Sequence, residues 1–372
     1  MEIKKLIENI SKKHRFDYLC ETRIIKTLKG EEVDCLPIIF WKPRNASVPG
    51  KTYNMKEQFY NKEKMLYAHL EEVEECAGDA YGAPLCIRPN FGTIFIPAMF
   101  GLKYEVFEDN YPWLTTHMTK DDIIKFRFPD IDRCEMMNRA VEYIEYFKEK
   151  LPTWIHIYHP DTQGPFDIAH MIYSDNIFYD IYDDPDFVHN LMEICTEMYM
   201  QVSRKLKRTI GEKNNECYHG HALSRGICMA NGGVRVSEDS ATLISPYHID
   251  EFVIPYVKRA LQAFGGGFIH YCGKNEKLLD AFLKIDEVRA INFGNPEMYD
   301  FDSTMRKFLD SKKCYFGLWH KIENETLDEY IDRMRKFSDG GKRGLVLHFD
   351  QSMFPGVTCE QISYMWSSRM GL

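Results

Sequence analysis

Residues 265–282 read GGGFIHYCGKNEKLLDAF. A glycine run leads into a short apolar run, which ends on His270 and Cys272 before a helical pattern begins. Residues i and i+2 of a strand share a face, so an imidazole and a thiol leave this strand end on the same side. Three readings are open for such a pair: two ligands of a metal, a nucleophile with its base, or a core thiol beside a hydrogen-bonded histidine. H-x-C alone is half of a metal site, and the rest of the chain has to decide.

Working outward, short apolar runs alternate with amphipathic stretches. CLPIIFW (35–41), APLCIRP (83–89), WIHIYH (154–159), ECYHGH (216–221), GFIHYC (267–272), VRAINF (288–293), KCYFGLW (313–319) and GLVLHF (344–349) read as strands. Continuous β-branched and aromatic runs suit parallel strands buried on both faces. Between them, DFVHNLMEICTEMYMQVSRKL repeats apolar residues every three to four positions, and SPYHIDEFVIPYVKRALQAF opens on Ser245 as N-cap with Pro246 behind it. Eight strands alternating with helices predict an α/β chain, a single (β/α)8 TIM barrel over residues 1–372. The opening MEIKKLIENISKKHRF adds an N-terminal helical extension. An open doubly wound sheet would want a glycine-rich phosphate turn after its first strand, and none is present.

In such a barrel the chemistry sits at the strand C-terminal ends. That rule gathers His270 and Cys272 with Asn90, His159, His219, His221, Glu238, Asp239, Asn292, Trp319 and His348. Arg88 and Asn90 are expected to hold a substrate carboxylate or carbonyl. His219 and Trp319 are expected to line and cap the pocket, and Asp239 with Glu238 to do acid–base work. No G-x-S-x-G turn supports a serine nucleophile.

Composition excludes other classes. The 372 residues carry a net charge of −9 with both signs interspersed, which argues against nucleic acid. The longest apolar stretch, GTIFIPAMFGL, is too short for a membrane span. Eleven cysteines without framework spacing, and no signal-like start, predict reduced thiols and a cytoplasmic protein.

FIHYCG with the segment after it resembles the uroporphyrinogen decarboxylase superfamily, in particular its cobalamin-dependent and coenzyme M methyltransferase branch. TQGPFDIAHMIYSDNIFYDIYDDPDFVHNLM, VRVSEDSATLISPYHIDEFVIPYVKRALQAFGGG and GLVLHFDQSMFPGVTCEQI are similar to three further segments of that superfamily. The resemblance implies a TIM barrel and implies His270 and Cys272 as zinc ligands. Two departures qualify it. The decarboxylases' arginine-rich stretch after the first strand is here FWKPRNASVPG, with only Lys42 and Arg44, and the acid after the second strand is missing from IRPNFG. Porphyrin decarboxylation is therefore not expected, since a tetracarboxylate needs several guanidinium forks. The methyltransferases' third ligand, a cysteine, is here Gln351, so a ligand must come from Glu238, Asp239, His348 or Asp350.

Three functions follow as expectations. The first is a methyltransferase with zinc at the barrel mouth, acting on a small-molecule substrate and taking its cobalamin on a separate corrinoid protein, because no D-x-H-x-x-G module occurs. That partner is expected to meet the aromatic loops NYPWLTTHM (110–118) and SMFPG (352–356). The second is a cofactor-free decarboxylase of a small carboxylic acid. The third is a barrel that binds a small molecule or corrinoid without turnover.

Overall fold

In a computed structural model of the chain, residues 2–14, 18–41, 52–78, 82–221 and 224–371 are described. Strand alternation sorts the apolar residues into two sets. Ile39, Phe268, Ala290, Cys314, Phe316 and Val346 pack together inside a ring of strands. Their chain neighbours Ile38, Ile269, Ile291, Tyr315, Leu345 and Leu347 pack outward against helices. A period of two in the sequence thus becomes an inner plug and an outer layer.

Eight parallel strands make the ring, and we number only these: β1 (Ile38–Trp41), β2 (Leu85–Ile87), β3 (Ile155–Ile157), β4 (Val234–Ser237), β5 (Gly267–Tyr271), β6 (Val288–Phe293), β7 (Cys314–Leu318) and β8 (Leu345–Asp350). They pair as two arcs, one in the order β1-β8-β7-β6-β5-β4 and the other β2-β3. Helices follow the strands, as in Glu276–Leu283 after β5 and Phe301–Asp310 after β6. The architecture is a (β/α)8 barrel, preceded by helices Glu2–Lys13 and Tyr18–Leu28. Gly267 opens β5 where a Cβ would meet Val234 O at 2.1 Å, so the glycine run lets β5 lie close against β4. No helix among the described residues is long and apolar enough to cross a membrane.

One expected barrel strand is displaced. Cys217–His219 is a strand, but it pairs antiparallel with Ile227–Met229 in a hairpin outside the two arcs. Val234–Ser237 takes the fourth place instead. The hairpin packs on helix Tyr18–Leu28, where Tyr218 Oη donates to Glu21 Oε1 at 2.6 Å and Cys228 Sγ donates to Glu21 O. Cys217, Ile227, Cys228 and Met229 join Cys20, Ile24 and Leu28 in closing the interior cluster from that side. A three-residue strand flanked by Gly220 carries too little pattern to show whether its partner runs parallel or antiparallel.

Candidate metal centre at the barrel mouth

His270 is the last inward residue of β5, next in alternation after Phe268, and it is buried. Its Nδ1 lies 2.6 Å from Asn292 Oδ1 on the neighbouring strand β6. Asn292 Nδ2 donates to Phe316 O at 2.5 Å, which fixes the amide's orientation. Nδ1 of His270 must therefore be the protonated nitrogen, and Nε2 presents its lone pair. Facing that lone pair are Cys272 Sγ at 3.5 Å and Asp239 Oδ1 at 3.8 Å. The Cys272 backbone N–H donates to the same Asp239 oxygen at 2.6 Å. One ligand atom from each of Asp239, His270 and Cys272 lies within 4.8 Å of the other two.

This donor set suits zinc. Bonds of about 2.0–2.3 Å in a tetrahedron hold ligand atoms roughly 3.3–3.8 Å apart, close to the distances found here. Imidazole, thiolate and carboxylate are all accepted ligand types, and an oxygen acceptor that orients the imidazole from behind, here Asn292 Oδ1, is the kind of support a metal-binding histidine needs. Cys272 is exposed, so the group is open on that side. Gly294 faces the thiol, and a Cβ there would fall 2.6 Å from Cys272 Sγ. Burial, with Arg235 adding to it, lowers the His270 pKa to about 4. Burial, with Asp239 adding to it, raises Cys272 to about 11.

The other expected site residues fall in different places. His348 is buried against Phe316, with ring centroids 4.6 Å apart, and lies outside the three-ligand group. Asp350 caps the next turn by accepting from Ser352 N at 2.8 Å. Gln351 donates from Nε2 to Val357 O and accepts from Cys359 Sγ, so both ends of its amide are engaged. Glu238 is fully buried and accepts from the backbone N–H groups of Phe166 and Asp167, at the start of helix Pro165–Tyr173. In return Asp167 accepts from the N–H groups of Asp239 and Ser240, both at 2.8 Å. This exchange of carboxylates positions Asp239, and burial with the neighbouring Asp167 raises the Glu238 pKa well above the usual carboxylate range. Burial and the neighbouring Asp239 raise the Asp167 pKa to about 7.

Asn90 accepts from Gly92 N and shapes its own turn. Trp319 packs among Phe293, Phe301 and Tyr315 in the outer layer, between β6, β7 and helix Phe301–Asp310, and does not cap the mouth. A residue just past a strand end can turn to either side, and here the apolar surface of the helix takes the indole. His219 does face inward, with its ring 5.0 Å from Phe268 and 4.7 Å from Tyr158. His221 sits 4.4 Å from His270. Arg88 is buried and pairs with Asp161. Of the two expected docking loops, SMFPG is packed down, with Met353 and Phe354 buried. In the other loop, Tyr111 is 47% and Trp113 66% exposed. Lys42 and Arg44 lie outside the described residues.

Sequence reasoning gave no role to Arg235, Asp161 or Asp167. Arg235 carried a visible signal, a cation inside the apolar run VRVS.

The uroporphyrinogen decarboxylase (URO-D) family model matches residues 20–208, just over half of the chain. Among solved structures, the chain is similar to a methyltransferase from Methanosarcina mazei, with a TM-score of 0.62 over 95% of this chain and 98% of that one. At 15% identity that likeness establishes the fold alone. No curated protein matches the sequence.

Proposed function

This chain belongs to the uroporphyrinogen decarboxylase family, and on that premise we propose that it is a methyltransferase working with a zinc ion and a separate corrinoid protein. The observation that carries the reading is the convergence of Asp239, His270 and Cys272 at the C-terminal ends of β4 and β5. When bound there, zinc supplies Lewis acidity that lowers the pKa of a thiol or polarises the oxygen of a methyl donor. The chain's own residues prepare the place. Asn292 holds His270 in the tautomer that frees Nε2. Arg235 adds to the burial that keeps this imidazole neutral. Asp239 fixes the Cys272 backbone, and the exposed side of Cys272 leaves room for the reacting atom.

The loop carrying Tyr111 and Trp113 packs against the turn after β2, where a Cβ on Gly92 would meet Pro112 Cδ at 3.2 Å and Tyr111 Cβ at 3.5 Å. Its exposed rings offer a corrinoid protein an apolar foothold at the mouth.

A second reading, cofactor-free decarboxylation of a small carboxylic acid, is favoured by the buried cations Arg88 and Arg235 near the same end. The test is metal analysis by mass spectrometry, after purification without chelator, of the wild type, His270→Ala and Cys272→Ser, together with a methyl-transfer assay with and without an added corrinoid protein. The expected result is zinc in the wild type only and transfer only with the partner. A wild type holding no more metal than the two variants would remove the methyltransferase reading. Carbon dioxide release by metal-free protein would install the second.

A further inference from the structure

Inside the barrel two guanidiniums share one carboxylate. Arg235, inward on β4, donates from Nη1 to Asp161 Oδ1 at 2.8 Å, and Arg88, directly after β2, donates to Asp161 Oδ2 at 3.4 Å. Gln163 Nε2 also donates to Asp161 Oδ1 at 2.7 Å. The three charged side chains keep 8%, 8% and 13% exposure for Arg235, Arg88 and Asp161, so the group is recessed yet touches solvent. Its formal charge is one unit positive. Arg235 Nε is buried without a hydrogen-bond partner.

Among the described residues, Asp161 is the one carboxylate that ion-pairs with either guanidinium. Glu238, Asp167 and Asp239 turn oxygens toward backbone N–H groups, and none of the three forms an ion pair with Arg88 or Arg235. A buried cation without a counter-charge is costly, and an unpaired guanidinium N–H adds to the cost. A bound anion would relieve that cost.

We propose, resting on the reading of this end of the barrel as the substrate site, that Arg88 and Arg235 hold the carboxylate of a small monoanionic substrate. A guanidinium fork matches a carboxylate in shape and charge. One surplus positive charge calls for one negative group, unlike the several arginines that a porphyrin would need. The rings of Tyr158, His219 and Phe268 form a continuous wall beside the pair, with Arg88 over the Tyr158 ring at 5.7 Å. Arg88 and Arg235 thereby set specificity for charge, while the three-ligand group at β5 does the chemistry.

The test uses acetate and benzoate as probes, with acetamide and benzamide as their uncharged counterparts, measured by calorimetry and thermal shift at constant ionic strength. In the wild type each carboxylate is expected to bind about tenfold or more tightly than its amide. Arg88→Gln and Arg235→Gln, checked for folding by circular dichroism, are expected to erase that preference. Asp161→Asn, which removes the competing negative charge, is expected to enlarge it. Carboxylate and amide binding equally to the wild type would overturn the proposal without recourse to any variant, as would a preference that survives both glutamine variants or one that shrinks in Asp161→Asn. The measurements are repeated on chelator-treated protein. A preference that persists there, in a chain that never held zinc, ends the metal reading and leaves this one standing. A zinc-loaded chain with no preference does the reverse.

Discussion

Asp239 Oδ1 accepts the backbone N–H of Cys272 at 2.6 Å, so the ends of β4 and β5 are tied together through the same oxygen that faces His270. The tie and the ligand role separate on substitution. Asp239→Asn keeps an acceptor for Cys272 and loses the charge, whereas Asp239→Ala loses both. Both variants are expected to weaken zinc binding, and Asn292→Ala, which frees the imidazole to rotate, by about 10–100-fold. Of the two Asp239 variants only Asp239→Ala is expected to lower the melting temperature as well, and Asn292→Ala lowers it too by leaving His270 Nδ1 and Phe316 O unpaired. Chelator competition and thermal denaturation of the three proteins check this.

Gly294 keeps space for the Cys272 thiol. In Gly294→Ala the new methyl would stand 2.6 Å from Sγ. The cheapest relief is rotation of the thiol away from His270. The variant is expected to fold normally and to retain much less metal than the wild type, as read by mass spectrometry and circular dichroism. Wild-type metal content in this variant would show that the thiol is not a ligand.

Metal affinity should fall with pH in a defined way. His270, lowered to about 4, is already neutral near pH 7, while Cys272, raised to about 11, is still a thiol. Binding to thiolate then releases one proton, and the apparent affinity drops about tenfold per unit of falling pH. Calorimetry between pH 6 and 8, in buffers of different ionisation enthalpy, should find one proton released. Two released protons would mean that His270 is charged before binding.

Asp161 makes a stability prediction. Burial acts to raise its pKa, but the charges of Arg235 and Arg88 outweigh it and hold the carboxyl well below the usual aspartate range. A folded-state pKa below the unfolded one contributes stability that is complete above the unfolded value of about 3.9 and is lost as pH falls below it. Asp161→Ala leaves two buried guanidiniums unpaired and is expected to cost about 3–5 kcal/mol near neutral pH. Urea denaturation at pH 7 and pH 3 checks both statements: the gap between wild type and variant should narrow in acid.

Trp113 is the exposed anchor of the mouth loop. Trp113→Ala is expected to raise the KM for a corrinoid protein about tenfold or more while leaving metal content untouched. An unchanged KM would move the docking face elsewhere on the barrel.

How much of this was legible depended on sequence distance. The H-x-C pair could be placed because strand alternation is local: Phe268, His270 and the position after them follow one rule. The barrel could be placed because eight apolar runs repeat that rule. The fourth strand could not, since VRVS is four residues long and its cation looks foreign to a core until Asp161, seventy-odd positions earlier, is seen beneath it. The partners of Glu238 were out of sight for the same reason: the amides it accepts from belong to Phe166 and Asp167. Trp319 sits just beyond β7, where periodicity ends and packing chooses the side. The family likeness was first visible from about Gly164 onward, whereas the family model covers residues 20–208. The two spans overlap on the G-P turn and the helices behind it.

The ring also sets a timetable for synthesis. β1 has β8 as its partner in the larger arc, with Ile38 opposite Leu347, and Trp366 Nε1 donates to Leu36 O at 2.8 Å. Roughly 300 residues separate the two strands, which at about 5–20 residues per second is some 15–60 s of translation. Throughout that interval β1 is a bare edge with nothing beside it on that side. The ribosome-bound chain therefore carries an aggregation-prone strand for most of its production. Slowing elongation over residues 300–345 would lower the soluble yield more than the same delay placed after residue 366.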